Sequence, residues 1–337
     1  MKLHLDVRVL KGIALALAVV LVVLVGLLCL KHWDESRGQV AESDAAGESP
    51  TVSEDSREVT YIDGQAYALR DLETVLLLGV DKFQGETPEG YLNNQQADFL
   101  LLLVLDKAGE TCTPIQLNRD TMTEIQILGV TGEPAGTMTG QLALAHTYGS
   151  GAEDSCENTV LAVENLLYGV EIDHYVSMTM DGVALLNDLV GGVTLEVLDD
   201  FSGIDGTLVQ GETVTLKGQQ ALTYVRSRGG LEDSTNLHRM ERQRQYLSAL
   251  QGQLSSKAQS DEGFTLDALL RLNEYLVSDC TVEQLSALGD NLANYQVSDI
   301  LTTQGEAQVG EEFMEFTVDE TALQQLVLDV FYEPVEG

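Results

Sequence analysis

Phe99-Leu-Leu-Leu-Leu-Val-Leu105 is seven apolar residues without interruption, and Val75-Leu-Leu-Leu-Gly-Val80 is a shorter run of the same kind. Both have the length of a strand. A strand with one wet face alternates apolar and polar side chains, so an unbroken run has to be covered on both faces. Two such strands require a sheet with a helical layer on each side, and the rest of the chain has to supply those layers.

It does. Asp106 to Glu110 reads as a hairpin turn into a strand over 112–117, which ends at Asn118-Arg-Asp-Thr121. Helical apolar spacing recurs over 141–148, over 158–167 with Asp154 or Ser155 as a candidate cap, over 182–189 before Gly191-Gly192, and over 218–226. Strands are expected over 174–180, 193–198 and 213–216. A long helix is expected over 236–254, then amphipathic helices over 266–276 and 282–292. Strands over 295–301 and 312–318 and a helix over 320–331 close the domain. The pattern is α/β, with helices on both faces of the sheet.

Ahead of this domain, Gly12 to Leu30 is nineteen residues with no charged side chain. As a helix it would extend about 28 Å, enough to cross a bilayer's hydrocarbon core. Lys2, Arg8 and Lys11 precede it, which places residues 1–11 in the cytoplasm and makes 12–30 a single-pass signal anchor. The run is longer than the apolar stretch of a cleaved signal peptide, and no Ala-x-Ala site follows. Residues 31–71 are expected to form an acidic extracytoplasmic tether, because the stretch from Asp34 to Glu58 is too polar to fold alone. The folded domain is then 72–333.

Charge narrows the function. The chain carries 54 acidic and 18 basic residues, a formal net charge of −36, which argues against nucleic-acid binding. Yet Arg226, Arg228, Arg239, Arg242 and Arg244 fall between positions 226 and 244. Guanidinium is a planar, permanent cation matched to phosphate oxygens. On the long helix, Arg239, Arg242, Gln243 and Tyr246 share one face, with Arg226 and Arg228 just before it. We read this segment as one wall of an anion site for a phosphate ester or pyrophosphate; a solvated basic helix would have the same spacing. Asp81 follows the first apolar strand, Asp98 precedes the second, and Arg119-Asp120 follows the third. All lie at the sheet rim, where α/β ligand sites form and where carboxylates suit Mg²⁺. Each could equally be a turn residue.

Other chemistries are weaker. The five histidines lack zinc spacing, and His146 reads as a core histidine. There is no P-loop and no Gly-x-Ser-x-Gly elbow. Cys29 lies in the apolar run. The remaining Cys112, Cys156 and Cys280 allow at most one disulfide between them, Cys112 with Cys156 in an exported domain, or three free thiols.

The motifs together resemble the LytR-CpsA-Psr (LCP) family of Gram-positive cell-envelope phosphotransferases. The matching residues are Leu77-Leu-Gly-Val-Asp81, Ala97-Asp98, Asn118-Arg-Asp-Thr121, Ala145-His-Thr-Tyr-Gly149, Ile172-Asp-His-Tyr-Val176, Val190-Gly-Gly-Val193, Tyr224-Val-Arg-Ser-Arg228 and Arg239-Met-Glu-Arg-Gln243. The resemblance implies a three-layer α-β-α sandwich around a mixed central sheet, with a pocket for a polyprenyl chain. It implies transfer of an anionic glycopolymer, teichoic acid or capsule, from a polyprenyl-pyrophosphate carrier to peptidoglycan. By position it implies Mg²⁺ on Asp81 and Asp98, pyrophosphate contacts from Arg119, Arg226, Arg228 and Arg239, and a site glutamine at Gln243.

Two positions depart from the family pattern. Gln96 stands where the family often has Arg, which removes one phosphate contact. Asn236 stands where it often has Asp, and an amide cannot take a proton from a hydroxyl at neutral pH; Asp233 is a nearby carboxylate. These departures keep a non-catalytic binder of polyprenyl phosphate or wall polymer as the alternative. A transcriptional regulator, a name once attached to the family, fits neither the acidic charge nor the expected location.

Overall fold

The computed structural model describes residues 59–62, 65–81, 93, 95–129, 131–227, 236–260, 264–281, 284, 295–310 and 313–335. The expected anchor at 12–30, the tether up to 58, Arg228, Asp233 and nearly all of the helix expected over 282–292 lie outside the described residues. Among the described residues no helix is long and apolar enough to cross a membrane.

The described chain begins with β1 (Val59–Ile62) and β2 (Gln65–Leu69), which pair with each other; β2 also pairs with Tyr332–Pro334 from the far end of the domain. The tether therefore does not extend to 71, and Ala66 and Ala68 are already buried. Next come β3 (Glu73–Val80), β4 (Ala97–Asp106) and β5 (Thr111–Leu117), antiparallel neighbours in the central sheet. A hairpin of β6 (Met122–Leu128) and β7 (Pro134–Gln141) follows, unread from the sequence. The helix expected over 141–148 is only a short 3-10 turn, Leu142–Thr147.

Helix α1 (Glu153–Leu166) leads to β8 (His174–Thr179), which lies parallel to β3. Asp154 and Ser155 sit inside the first turn of α1, not ahead of it, and bond back to Ser150 and Gly151. Then come α2 (Met180–Leu189), the hairpin of β9 (Val193–Glu196) and β10 (Thr213–Leu216), α3 (Gln219–Arg226), α4 (Asn236–Ser260) and α5 (Phe264–Leu272). The helix expected over 266–276 stops at Leu272, and Leu276–Ser278 is β11, antiparallel to β8. The two short strands β12 (Gln296–Val297) and β13 (Leu301–Thr302) run parallel to β5. The hairpin of β14 (Gly305–Val309) and β15 (Met314–Val318), helix α6 (Glu320–Phe331) and β16 (Tyr332–Pro334) complete the fold.

The central sheet is mixed, in the order β11-β8-β3-β4-β5, with β12 and β13 beside β5. Its two faces divide β4 by parity. Leu101, Leu103 and Leu105 pack with α2 to α5, while Leu100, Leu102 and Val104 pack with α1 and α6. The unbroken apolar run is thus two alternating half-cores, the arrangement a two-sided sheet requires. The same division rules out a Cys112–Cys156 disulfide and leaves the alternative of free thiols. Cys112 lies in the α2–α5 core and Cys156 in the α1–α6 core, on opposite faces, and both are free thiols.

Candidate functional site

The rim site begins with a break in register. Gly79 pairs with Phe99, and Val80 pairs with Ala97, so Asp98 is the extra residue of a β-bulge. A bulge bends its strand and re-aims a side chain, and here the side chain is a carboxylate at the strand end. Gly79 permits the approach: a Cβ there would lie 2.9 Å from the Cβ of Phe99. Asp81 emerges two residues further along β3.

Arg119 comes from the turn after β5. The turn is closed by Thr121 N donating to Asn118 O (3.0 Å) and by Asp120 N donating to the Asn118 side-chain oxygen (3.0 Å). Ala143 N also donates to Arg119 O (3.0 Å), which ties the turn to the 3-10 segment. The buried guanidinium of Arg119 donates to Asp98, to the Gln96 side-chain oxygen Oε1 and, through Nε, to Asp120 (3.1 Å). Arg239, one of the buried residues on the first turns of α4, reaches Asp98 Oδ1 at 3.5 Å. Arg226 ends α3 and pairs with Asp81 at 2.6 Å, both side chains being 45% exposed. Asp98 is thus joined by ion pairs to Arg119 and Arg239, and Asp81 separately to Arg226, at one end of the sheet.

Arg242 belongs to a different structure. Its guanidinium is buried and donates to Tyr224 O (2.8 Å), to Ser227 O and to Asp199, and it lies over the Phe201 ring at 5.5 Å. Gln243 Nε2 donates to Val225 O (3.3 Å), and Gln116 Nε2 donates to Gln243 Oε1 (3.2 Å). The last carbonyls of a helix have no partner within it. Arg242 and Gln243 supply those partners for α3 and so fix the position of Arg226. The expected wall of arginines is divided: Arg239 meets Asp98 at the rim, and Arg242 holds the adjoining helix end. Asp199 was not singled out, since nothing in its local sequence marks it.

The two departures also find partners. Gln96 accepts from Arg119. Asn236, the buried first residue of α4, donates to Asn118 Oδ1 at 2.5 Å, the oxygen that also accepts from Asp120 N. A carboxylate at position 236 has no proton for that bond. Two further groups support the rim: Gln141 donates to Asp120 (3.0 Å) and to Met314 O (2.6 Å).

His146 is buried in the core, as its sequence context suggested. Its Nδ1 lies 3.0 Å from Gln95 O, and so pins the segment that leads into Gln96 and Asp98. Burial pushes its pKa down to about 4. It donates to Gln95 as a neutral ring at pH 7. The unfolded chain takes up this proton near the usual histidine value, and the folded chain resists it. The stability is therefore fully present above pH 6.5 and is lost as the pH falls towards 4. Between pH 7 and pH 5 the loss is expected to be about 2 kcal/mol. Urea unfolding at the two values, compared with His146→Gln, measures it; an equal loss in both proteins would assign it to other groups.

From the rim an apolar slot runs between the sheet and α2 and α4. It encloses about 140 Å³ and is lined by Leu77, Gly79, Phe99, Met178, Val183 and Leu247 among others, with Val225 and Gln243 in its wall. Phe99 adjoins Asp98, Val225 adjoins Arg226, and Gln243 lies one helical turn beyond Arg239. Of the apolar runs, Leu77, Leu78 and Phe99 line the slot, and Leu100 to Leu105 are core.

The profile of the LytR_cpsA_psr family matches residues 38–329, starting ahead of the expected boundary at 72. A polyisoprenyl-teichoic acid–peptidoglycan teichoic acid transferase, TagU of Halalkalibacterium halodurans, is 32% identical over 197 residues, 58% of this chain and 56% of the relative. The Bacillus subtilis transferase of the same description, TagV, is 28% identical over 256 residues, 74% of this chain and 59% of the relative. The chain thus spans little more than half the length of these curated relatives. In three dimensions the crystal structure of B. subtilis TagV matches with a TM-score of 0.57 at 22% identity, covering 77% of this chain and 96% of that one. A structure of TagT bound to LI-WTA matches with a TM-score of 0.56 at 22% identity, covering 77% and 89%. These structural matches show a shared fold.

Proposed function

This chain belongs to the LytR-CpsA-Psr family, and from that premise we propose that it transfers an anionic glycopolymer from a polyprenyl-pyrophosphate carrier to peptidoglycan. What supports the reading is one juxtaposition: Arg119, Arg226 and Arg239, paired with Asp98 and Asp81, stand at the mouth of an apolar slot. A polyprenyl pyrophosphate has that shape and polarity, a long apolar tail and a doubly charged head. The chain's net charge of −36 repels such a substrate, so a local concentration of guanidinium is needed to hold it.

In this mechanism the tail lies along Leu77, Phe99, Met178 and Leu247, and the head displaces the carboxylates from the guanidiniums. Arg119 and Arg239 are buried and already oriented, so they take up charge on the phosphoryl oxygens with little rearrangement. A glycan hydroxyl forms the new O–P bond, the bond to polyprenyl phosphate breaks, and the hydroxyl proton passes to a carboxylate or to water. Asn236 cannot accept that proton. It orients Asn118 and the Arg119 turn instead. Arg228, outside the described residues, is assigned a pyrophosphate contact on the resemblance alone.

Asp81 and Asp98 would hold Mg²⁺. Their donors fit: two hard carboxylates, brought to one strand end by the β3–β4 register, beside the proposed phosphate position. When bound, the ion neutralises charge on the pyrophosphate oxygens. The proposed setting is the outer face of the cell membrane, the domain being held there by residues 12–30.

A second reading is a binder of polyprenyl phosphate or wall polymer without turnover, favoured by the amide at position 236. One experiment separates them. The full-length protein is incubated with Mg²⁺, a polyprenyl-pyrophosphate glycan and peptidoglycan, and covalent polymer on the wall is measured together with lipid binding. Transfer requires product; binding without product in the parent leaves the binder. Leu247→Glu places a carboxylate in the slot and is expected to weaken polyprenyl binding tenfold or more under either reading. Unchanged affinity would show that the tail lies elsewhere.

A further inference from the structure

The opposite end of the sheet, at β8 and its edge neighbour β11, carries a second cluster, made by three residues of different chemistry. Strands β8 and β11 are antiparallel with Ser278 opposite Val176. Continuing that register by two residues places Cys280 across from His174, on one face of the pair. Asp279 lies between them in sequence, and ligand atoms of His174, Asp279 and Cys280 all fall within 4.8 Å of one another. The geometry points to a site here for a borderline divalent cation of the zinc type, held by imidazole, carboxylate and thiolate.

Three observations carry this. The first is spacing. His174 Nδ1 and Asp279 Oδ2 are 3.3 Å apart. Two ligands about 2.0–2.1 Å from one tetrahedral ion are separated by roughly 3.3 Å. The second is support from the surrounding backbone. Tyr175 N donates to the other carboxylate oxygen, Asp279 Oδ1, at 2.8 Å and so leaves Oδ2 facing the histidine. The Ser278 hydroxyl donates to Tyr175 O (2.7 Å) and accepts from Cys280 N (3.1 Å), which fixes the turn carrying both ligands. Ligands held by such outer hydrogen bonds are a regular feature of metal sites. The third is the donor set. Nitrogen and sulfur disfavour Mg²⁺ and Ca²⁺ and favour Zn²⁺. The carboxylates at the rim have the opposite preference.

The cluster is distinct from the rim. Val75 pairs with His174 and Val80 with Thr179, so the two ends lie about 17 Å apart along the strands. Binding has defined chemical consequences. Burial holds the Cys280 thiol up to about 12, so the ion must displace its proton to solvent as the metal–sulfur bond forms. His174 binds through Nδ1, and the ring proton that now faces Asp279 moves to Nε2, which lies 3.0 Å from the Gln284 side-chain nitrogen. The Gln284 amide, which now accepts from Thr281 N at 2.9 Å, turns over to present its oxygen. Three protein ligands leave one position for water or another donor.

The test uses Co²⁺ as a probe. The full-length protein in detergent, stripped of metal, is titrated with Co²⁺. One equivalent should produce a near-ultraviolet thiolate-to-cobalt band that Zn²⁺ abolishes. Cys280→Ser should lose the band, Cys112→Ser should keep it, and Asp279→Asn should weaken binding at least tenfold. Zn²⁺ should raise the unfolding midpoint of the parent and not that of Cys280→Ser. If Cys280→Ser does not fold, His174→Ala decides by the same band and affinity. No band in the parent, or an undiminished one in the folded ligand variant, overturns the proposal.

Discussion

Arg119→Ala is expected to lower polymer transfer by roughly 10²–10³-fold, the loss seen when one preorganised donor to a developing oxyanion is removed. Its guanidinium is the one that spans Gln96, Asp98 and Asp120 at once. Without it, Asp98 keeps Arg239 at 3.5 Å, and Asp120 keeps the donor of Gln141. The carboxylates therefore stay partly satisfied, and the protein should still fold. The effect should fall mainly on kcat, because the contact strengthens as charge develops and the apolar tail is unaffected. Arg119→Lys restores the charge but not the three-way fork, and should recover only part of the rate. Steady-state kinetics with circular dichroism as the folding control would measure both. Transfer within a few-fold of the parent in folded Arg119→Ala would remove Arg119 from the mechanism.

Arg242→Ala is expected to cost about 3–5 kcal/mol of stability, the range for removing one partner of a buried ion pair. The side chain is almost fully buried and makes three bonds, to Tyr224 O, to Ser227 O and to Asp199. Truncation leaves Asp199 with His238 at 3.6 Å and removes the donors to Tyr224 O and Ser227 O at the end of α3. It also opens space against Phe201, which stacks on Tyr224 at 5.4 Å. Arg226 would lose its fixed position, so transfer should fall as well. Arg244 is the control. It lies two residues away on the same helix, is only partly buried and, among the described residues, bonds to the Gln116 side chain at 3.0 Å. A solvated basic surface predicts similar small effects for the two arginines, and the structure predicts a large difference. Urea unfolding of both variants decides between them.

The pairings of Gln96 and Asn236 bear on how the departures should be tested. Gln96→Arg would set a second cation against Arg119, and Asn236→Asp would set a carboxylate against an oxygen that already accepts a bond. Neither change is a simple restoration, because each residue is matched to its neighbour. Asn236→Asp would need a hydrogen-bond donor facing it in place of the Asn118 oxygen.

Much of the fold could be read from the chain, since the continuous runs at 75–80 and 99–105 demand a two-sided sheet in any context. The helices α1 to α6 follow from apolar spacing, with ends that differ from expectation by up to six residues. The β6–β7 hairpin did not, because most of β7 is exposed and small polar residues give no periodic signal. Strands β1 and β2 were hidden for another reason. Strand β2, which pairs with β1, is held on its other side by β16, more than 260 residues away, and a local pattern cannot carry that pairing.

The site divides in the same way. The sequence by itself determined that charge would gather at the ends of very apolar strands and that arginine would be concentrated near positions 226 to 244. It could not say which arginine does what. Arg239 and Arg242 are one helical turn apart and chemically identical. One meets Asp98 and the other Asp199, because the bulge at Asp98 and the end of α3 face α4 at different heights. Side-chain type is set residue by residue, whereas a guanidinium's partner is whichever buried carboxylate or carbonyl the packed fold leaves within reach.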